Sequence, residues 1–424
     1  MRFRSARAES RAAPRLRFTT LGATGLLCVL LAGCGEAWNP ETVVNGLRVL
    51  GMRATPAELH PGGFARLEAL VVDPSRPGLG TTVLWLGCDP DPFDLGRSAC
   101  SDPAVLGDPA ALASPDAVAQ AQLPPGMHAI GFNAAAAYAA PANAFAQLPP
   151  GDERRLKGTV AQVLAVAVAE EVSPSATPGE ISALLERVKA KEVKSLIALF
   201  RIRVTEQETL NANPTLGGLR VHGMPLPEGA TLRVQPGVDA VLDTPVADAN
   251  FEEYDELQPE GWVHKTERVV AAWYSSWGRF SEARLALHSD LTERFTPPGN
   301  ADEALPDDRA GTFYAVLRDT RGGQAWTAVP GFLCDPALPA PSATALEPSS
   351  GPADGIAPLA VAGTELDSML DVLVGGKALL RAGYSAERDR FEGVVPKLPA
   401  GDYPVLIRGK HCADVETGLT YRAN

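Results

Sequence analysis

No apolar run in this 424-residue chain reaches the roughly 20 residues that a membrane-spanning helix needs. Basic residues are outnumbered, 38 Lys and Arg against 51 Asp and Glu. The net charge of −13 argues against nucleic-acid binding, because a phosphate backbone calls for clustered cations. Gly and Pro together make up about 18% of the residues, too few for a disordered or collagenous chain. No two of the six histidines, His60, His128, His222, His264, His288 and His411, stand at i, i+2 or i, i+4, so a local metal-ligand motif is missing. His-Glu-x-x-His and Gly-x-Ser-x-Gly motifs are missing too. Gly375-Gly376-Lys377 lacks the upstream glycine and the hydroxyl residue of a phosphate-binding loop and reads as a hairpin. At roughly 150 residues per domain, the length predicts two to four domains with cores of their own.

The amino terminus is the most specific segment. Arg2, Arg4, Arg7, Arg11, Arg15 and Arg17 stand against one acid, Glu9, and an uncharged run follows from Leu21 to Leu31. That run has the length of a signal-peptide core and is too short to span a bilayer. It ends in Leu31-Ala32-Gly33-Cys34, and no adjacent arginine pair marks twin-Arg export. The segment resembles a bacterial lipoprotein signal peptide and matches the lipobox at all four positions. The resemblance implies cleavage after Gly33 and acylation of Cys34 on its thiol and its new amino group. Two or more acyl chains, at about 0.8 kcal/mol per buried methylene, anchor a protein stably, whereas one chain holds marginally. Gly35 stands where Asp retains well-studied lipoproteins at the inner membrane, so the resemblance points to the outer membrane, on its periplasmic or surface face.

Removal of residues 1–33 takes six Arg and one Glu and leaves 391 residues with 32 basic and 50 acidic groups, a net of −18. Four cysteines then remain: Cys88, Cys100, Cys334 and Cys412. An even count in an exported protein favours two disulfides. Three connectivities are open; the one that joins Cys88 to Cys100 in a local loop and Cys334 to Cys412 is favoured over the other two, over free thiols and over zinc.

The hydrophobic pattern predicts a mainly β chain of tandem immunoglobulin-like β-sandwiches, the first with a helical insertion. A tether over 34–45 leads into a first sandwich over 46–208. Its strands include Leu47–Leu50, Ala65–Asp73, Thr81–Leu86, Val160–Val168 and Leu196–Val204. Trp85 beside Cys88 suggests a core strand, although immunoglobulin Cys-Trp-Cys spacing is missing. Residues 101–155, rich in Ala, Pro, Gly and Asp, read as loops and weak helix. Pro178-Gly179-Glu180 opens a helix with Ile181, Leu184, Leu185 and Val188 on one face. Asn211–Pro214 reads as a linker into a second sandwich over 215–335. There Leu219-Arg220-Val221 with Gly223-Met224 repeats Leu47-Arg48-Val49 with Gly51-Met52. Asp319–Gly323 reads as a hairpin turn and the acidic Glu252–Glu256 as a solvated loop. Pro336–Pro341 reads as the next linker.

Residues 343–424 carry Pro348-Ser349-Ser350-Gly351-Pro352, Val374-Gly375-Gly376, Leu398-Pro399-Ala400-Gly401-Asp402-Tyr403 and a closing Tyr421. In order and spacing this segment resembles the IPT/TIG domain, with a single Gly355 where the family usually has a glycine pair. The resemblance implies an immunoglobulin-like sandwich of a kind that serves bacterial surface proteins as a spacer or adhesive module.

Candidate sites are sparse. Asp89, Asp91 and Asp94, within six residues, offer oxygen ligands for calcium, against the simpler reading of an acidic turn. Trp262, Trp273, Tyr274 and Trp277 fall within 16 residues. At strand period Trp273 and Trp277 share one face and Tyr274 takes the other, so one face is core and an exposed ring on the other is a binding anchor. The function expected is a lipid-anchored, non-catalytic binding or scaffold protein without cofactor. Its partners are the membrane, through the anchor, and an envelope protein or glycan. The alternatives are an envelope hydrolase with a dispersed site in 89–195 and a structural spacer.

Overall fold

Two-residue alternation in Thr159–Val168 and Ser195–Val204 builds the first core. Ala161, Val163 and Ala165 on one strand and Phe200, Ile202 and Val204 on its partner turn to the same buried cluster. The structure, a computed structural model of the chain, describes residues 41–91, 95, 97–98, 126–133, 136–173, 175–282, 284–286, 292–299 and 305–424. It is mainly β, a series of immunoglobulin-like sandwiches.

In the first sandwich, a sheet of Arg48–Thr55, Phe64–Val72 and Ala137–Ala139 faces a second sheet. The second sheet runs Glu58–Leu59, Ser195–Val204, Thr159–Val168, Thr82–Cys88, Met127–Phe132. Trp85 fills the space between them and donates its indole N–H to the Asn133 carbonyl at 3.1 Å. Two helices belong here, α1 (Glu153–Lys157) and α2 (Pro178–Lys189). In α2, Thr177 and Glu180 form a reciprocal capping box, and Leu184 packs on Val168 and Val193.

The second sandwich sets Met224–Pro225, Arg220–Val221, Ala240–Asp243, Glu293–Thr296 and Arg279–Phe280 against Leu232–Val234, Gln324–Leu333, Ala310–Asp319, Val269–Ser275 and Arg284–Ala286. Trp273, Trp277, Phe280, Phe295 and Phe313 form its aromatic centre, with Phe295 and Phe313 4.7 Å apart edge to face. The third pairs Ser342–Glu347, Ala357–Thr364, Arg390–Val395 and Leu380–Ser385 with Ser350–Gly351, Asp414–Ala423, Gly401–Gly409, Met369–Val374 and Lys377–Ala378. Leu359, Val361, Phe391, Val372, Ile407 and Tyr421 fill it.

Several local expectations change. Glu253–Gln258 is a strand paired with Gly261–Thr266, because its charges are matched across the hairpin by His264 and Lys265. Ala137–Ala139, inside the alanine-rich stretch, is a strand anchored by fully buried Tyr138. Arg220–Val221 is a two-residue strand, much shorter than its sequence counterpart Arg48–Thr55.

The sandwiches touch one another. Leu50, Leu70 and Val72, on the outer face of the first sandwich's smaller sheet, pack on Tyr274, Tyr314, Val316 and Trp326 of the second. Tyr274 is therefore buried between sheets and is not an exposed anchor. At Gly51 a side chain would press on the Trp326 ring at 3.1 Å. Between the second and third sandwiches, the buried Arg408–Asp371 pair, 2.8 Å, closes over Thr231, whose N–H and hydroxyl donate to Asp371 at 3.0 and 2.9 Å.

Candidate functional site

The pattern that makes the hairpin 253–266 also sets it beside the first sandwich. α1 lies against strand Glu253–Gln258, and the Gln207 amide donates to the Asp255 carbonyl at 3.2 Å. The turn Asp319–Gly323 approaches from the other direction. Its Asp319 carboxylate accepts from the backbone N–H groups of Arg321, 2.9 Å, and Gly323, 2.7 Å, a side-chain-stapled turn. At Gly323 a Cβ would run into the Asp319 carboxylate and lie 3.0 Å from the Ala212 carbonyl, so a side chain there would displace the carboxylate that staples the turn.

Arg321, at the tip of that turn, is the hub. Its guanidinium reaches Glu58 of the first sandwich at 2.6 Å and Glu252 at 3.4 Å, and lies 5.0 Å from the centre of the Tyr254 ring. Glu58 has no exposure, and its carboxylate is satisfied from three sides. Arg321, Arg203 at 3.3 Å and the Asn211 backbone N–H at 2.9 Å all donate to it. Arg203 also donates to the carbonyls of Leu156 and Lys157, which ties the end of α1 to the sheet. Asn211, in the segment read as a linker, is itself buried and also donates to Asp319 at 3.2 Å.

Acids crowd this hub. Burial, chiefly, and the neighbouring Asp319 push the Glu267 carboxyl up to about 8 from an ordinary 4.5, although Arg321 opposes the shift. Burial raises Asp319 and Glu252 in the same direction.

Two solvent-facing cavities flank Tyr254 and Arg321. The larger, about 990 Å³, is lined by Arg154, Lys157, Arg201, Arg203, Glu58, Glu256, Gln147 and Thr320 among others. The smaller, about 540 Å³, is lined by Glu206, Glu208, Glu252, Glu253, Asp255 and the Trp262 ring. Trp262 is 39% exposed, whereas Trp273 and Trp277 are buried in the second core. Arg155 fixes the edge of the smaller cavity through paired bonds of 2.8 and 2.6 Å to Glu206. His264 stands between Asp255, 2.9 Å, and Glu253, 2.6 Å; its hydrogen bond to Asp255 is the main cause of its raised pKa. The smaller cavity offers the Trp262 ring and fixed acceptors and the larger one fixed donors, and Tyr254 and Arg321 line both.

Most residues singled out in the sequence lie elsewhere. Asp89 accepts from the Tyr138 hydroxyl at 3.0 Å and lies 3.9 Å from His128. Asp91 donates its backbone N–H to the Arg97 carbonyl, while Asp94 lies outside the described residues. Among the described residues no group of three or more His, Cys, Asp and Glu is placed to hold a metal ion. Cys334 and Cys412 form a disulfide with Cα atoms 5.4 Å apart. Cys88 is disulfide-bonded, and Cys100 and Cys34 lie outside the described residues. No helix among the described residues is long and apolar enough to cross a membrane. Sequence reasoning noted Trp262 but did not find Glu58, Arg203 or Arg321, which come together from positions up to 263 residues apart.

No family model matches this chain, and no curated protein matches it. Among solved structures it is similar to the Bacteroides ovatus mixed-linkage glucan utilization locus protein SGBP-B in complex with a heptasaccharide. The identity is 10%, over 89% of this chain and 68% of that one, with a TM-score of 0.15. It is similar to the E. coli chaperone DraB at 11% identity, over 49% of this chain and 98% of that one, with a TM-score of 0.23. The periplasmic chaperone SfaE gives 12% identity over the same shares and a TM-score of 0.22. At such TM-scores none of these likenesses bears on what this chain binds.

Proposed function

We propose that this chain is a lipid-anchored protein of the bacterial envelope that holds a saccharide, without transforming it, in the groove between its first two sandwiches. The observation that carries the reading is the exposed Trp262 ring lining the smaller cavity, whose wall it shares with Tyr254, Arg321 and fixed carboxylates. Sugar rings present C–H faces that pack on an indole and hydroxyls that need directed partners, so a flat ring edged by fixed donors and acceptors suits them. Glu58 and Glu252 are engaged with arginines, which suits holding the two sandwiches together around a ligand. The lipobox supplies the anchor, and the disulfide-bonded cysteines suit an exported protein.

A protein partner is the second reading. It is favoured by the edge strand Ser195–Val204, which pairs only with Thr159–Val168 along residues 195–202 among the described residues. The same strand exposes Leu196, Ile197 and Leu199.

The test is affinity electrophoresis of the detergent-extracted lipoprotein through gels containing single polysaccharides. Retardation by at least one of them, lost on Trp262→Ala with an unchanged circular dichroism spectrum, supports the reading. Retardation that survives Trp262→Ala, or none in a broad panel, overturns it.

A further inference from the structure

The two cavities beside Tyr254 and Arg321 differ in sign. The smaller is walled by five carboxylates with Arg321 as its single cation among the lining residues. The larger has five cationic side chains against two carboxylates. Ion-pair accounting narrows those cations. Arg203 and Arg321 share Glu58, and Arg154 is held by Asp152 at 2.6 Å. Lys157 and Arg201 remain, and among the described residues neither has a carboxylate within ion-pair distance.

Their placement is set by the fold. Arg201 and Arg203 are two apart on one strand, so both leave the same outer face of the sheet. Lys157 ends α1, whose last carbonyls Arg203 holds. The Asp319–Gly323 turn closes the other wall, since a Cβ on Gly322 would lie 3.8 Å from the Arg201 carbonyl. These two cations without ion pairs share one wall of a concavity, in a chain with 51 acids against 38 bases whose overall field repels anions.

We propose that the saccharide bound in the groove is anionic, with its carboxylate or sulfate groups seated at Lys157 and Arg201. This rests on the saccharide reading above and names its chemical class. Arg201 offers a planar fork to a carboxylate or sulfate, and Lys157 a mobile point charge. The acidic neighbouring cavity repels further anions, so charged substituents are directed to one side of Tyr254 and the stacked ring to the other.

The test compares full-length lipoprotein in mild detergent on matched polysaccharides: polygalacturonate, alginate, hyaluronate and chondroitin sulfate against methyl-esterified pectin, dextran, mannan and starch. The expected result is binding of at least one acidic member at least tenfold tighter than its neutral counterparts, weakening as salt rises. Arg201→Ala and Lys157→Ala each reduce that acidic-to-neutral ratio about tenfold, and Arg201→Lys recovers part of it. Neutral members bound as tightly as acidic ones, or a ratio indifferent to both substitutions, overturn the anionic assignment while the saccharide reading stands. Binding of none of the eight overturns both.

Discussion

Replacing Glu267 by Gln should reshape the dependence of stability on pH without changing the fold. Glu267 is 2% exposed, and one of its carboxylate oxygens is buried without a hydrogen-bond partner. Burial comes first among the causes that hold its pKa up at about 8; the charges of Asp319, Glu252 and Glu58 add to it and that of Arg321 opposes. The unfolded chain releases this proton near the ordinary 4.5, so between about 4.5 and 8 the folded state binds the extra proton. Stability therefore falls as pH rises through that window and reaches its full loss above the folded pKa. At 1.36 kcal/mol per pKa unit the loss is about 5 kcal/mol at most, and local relaxation and hydration bring the expectation to about 2–4 kcal/mol. Gln keeps the shape and has no proton to lose. Urea unfolding of wild type and Glu267→Gln at pH 5, 7 and 9 should give similar midpoints at pH 5 and a more stable variant at pH 9. His264, also raised, loses its stabilising charge in the same direction, so the difference between the two proteins isolates Glu267. Parallel profiles across the range would refute the reasoning.

Arg321→Ala removes one of the three donors to a fully buried Glu58, leaving Arg203 and the Asn211 N–H, and should destabilise the protein by about 1.5–3 kcal/mol, read as a lower urea midpoint; a loss within about 0.5 kcal/mol would contradict the hub. Joint replacement of Cys334 and Cys412 by Ser opens a loop with a sequence separation of 78 and should cost up to about 4 kcal/mol, visible as a lower melting temperature. In the same protein, mass spectrometry of unreduced peptides should find Cys88 joined to Cys100; any other partner rejects that pairing. Cys34→Ser should shift the protein from the membrane to the soluble fraction and abolish labelling by radioactive palmitate, and unchanged membrane retention would count against lipidation.

Elements specified by local chemistry were legible in the sequence. Pro178-Gly179-Glu180 reads as a helix start, and the structure begins α2 at Pro178, behind a Thr177 cap. Asp319–Gly323 reads as a turn because Asp and Gly supply what a tight reversal needs, and strands Ala310–Asp319 and Gln324–Leu333 flank it. The Trp273 face was open to two readings, and contact with Phe280, 5.8 Å away, belongs to the core reading. Hairpin 253–266 was missed because its acids resemble a solvated loop until their partners across the strand are counted. A signal was available in Pro259-Glu260-Gly261, a turn between two runs that carry Tyr254, Leu257, Trp262 and Val263. The Ala137–Ala139 strand gives almost no hydrophobic contrast, since alanine marks neither face. The hub was beyond local reading: Glu58 and Arg203 become neighbours by strand pairing across a sequence separation of 145, and the stacking of the second sandwich on the first brings in Arg321.

The central claim is that the groove beside Tyr254 and Trp262 is where this protein meets its saccharide. A photoreactive derivative of whichever acidic oligosaccharide binds would mark the contact surface directly. Crosslinked peptides should fall within residues 154–160, 199–207 and 253–264, and unlabelled oligosaccharide should compete them away. Competable crosslinks confined to the third sandwich, or to the exposed edge at Leu196–Leu199, would contradict the account.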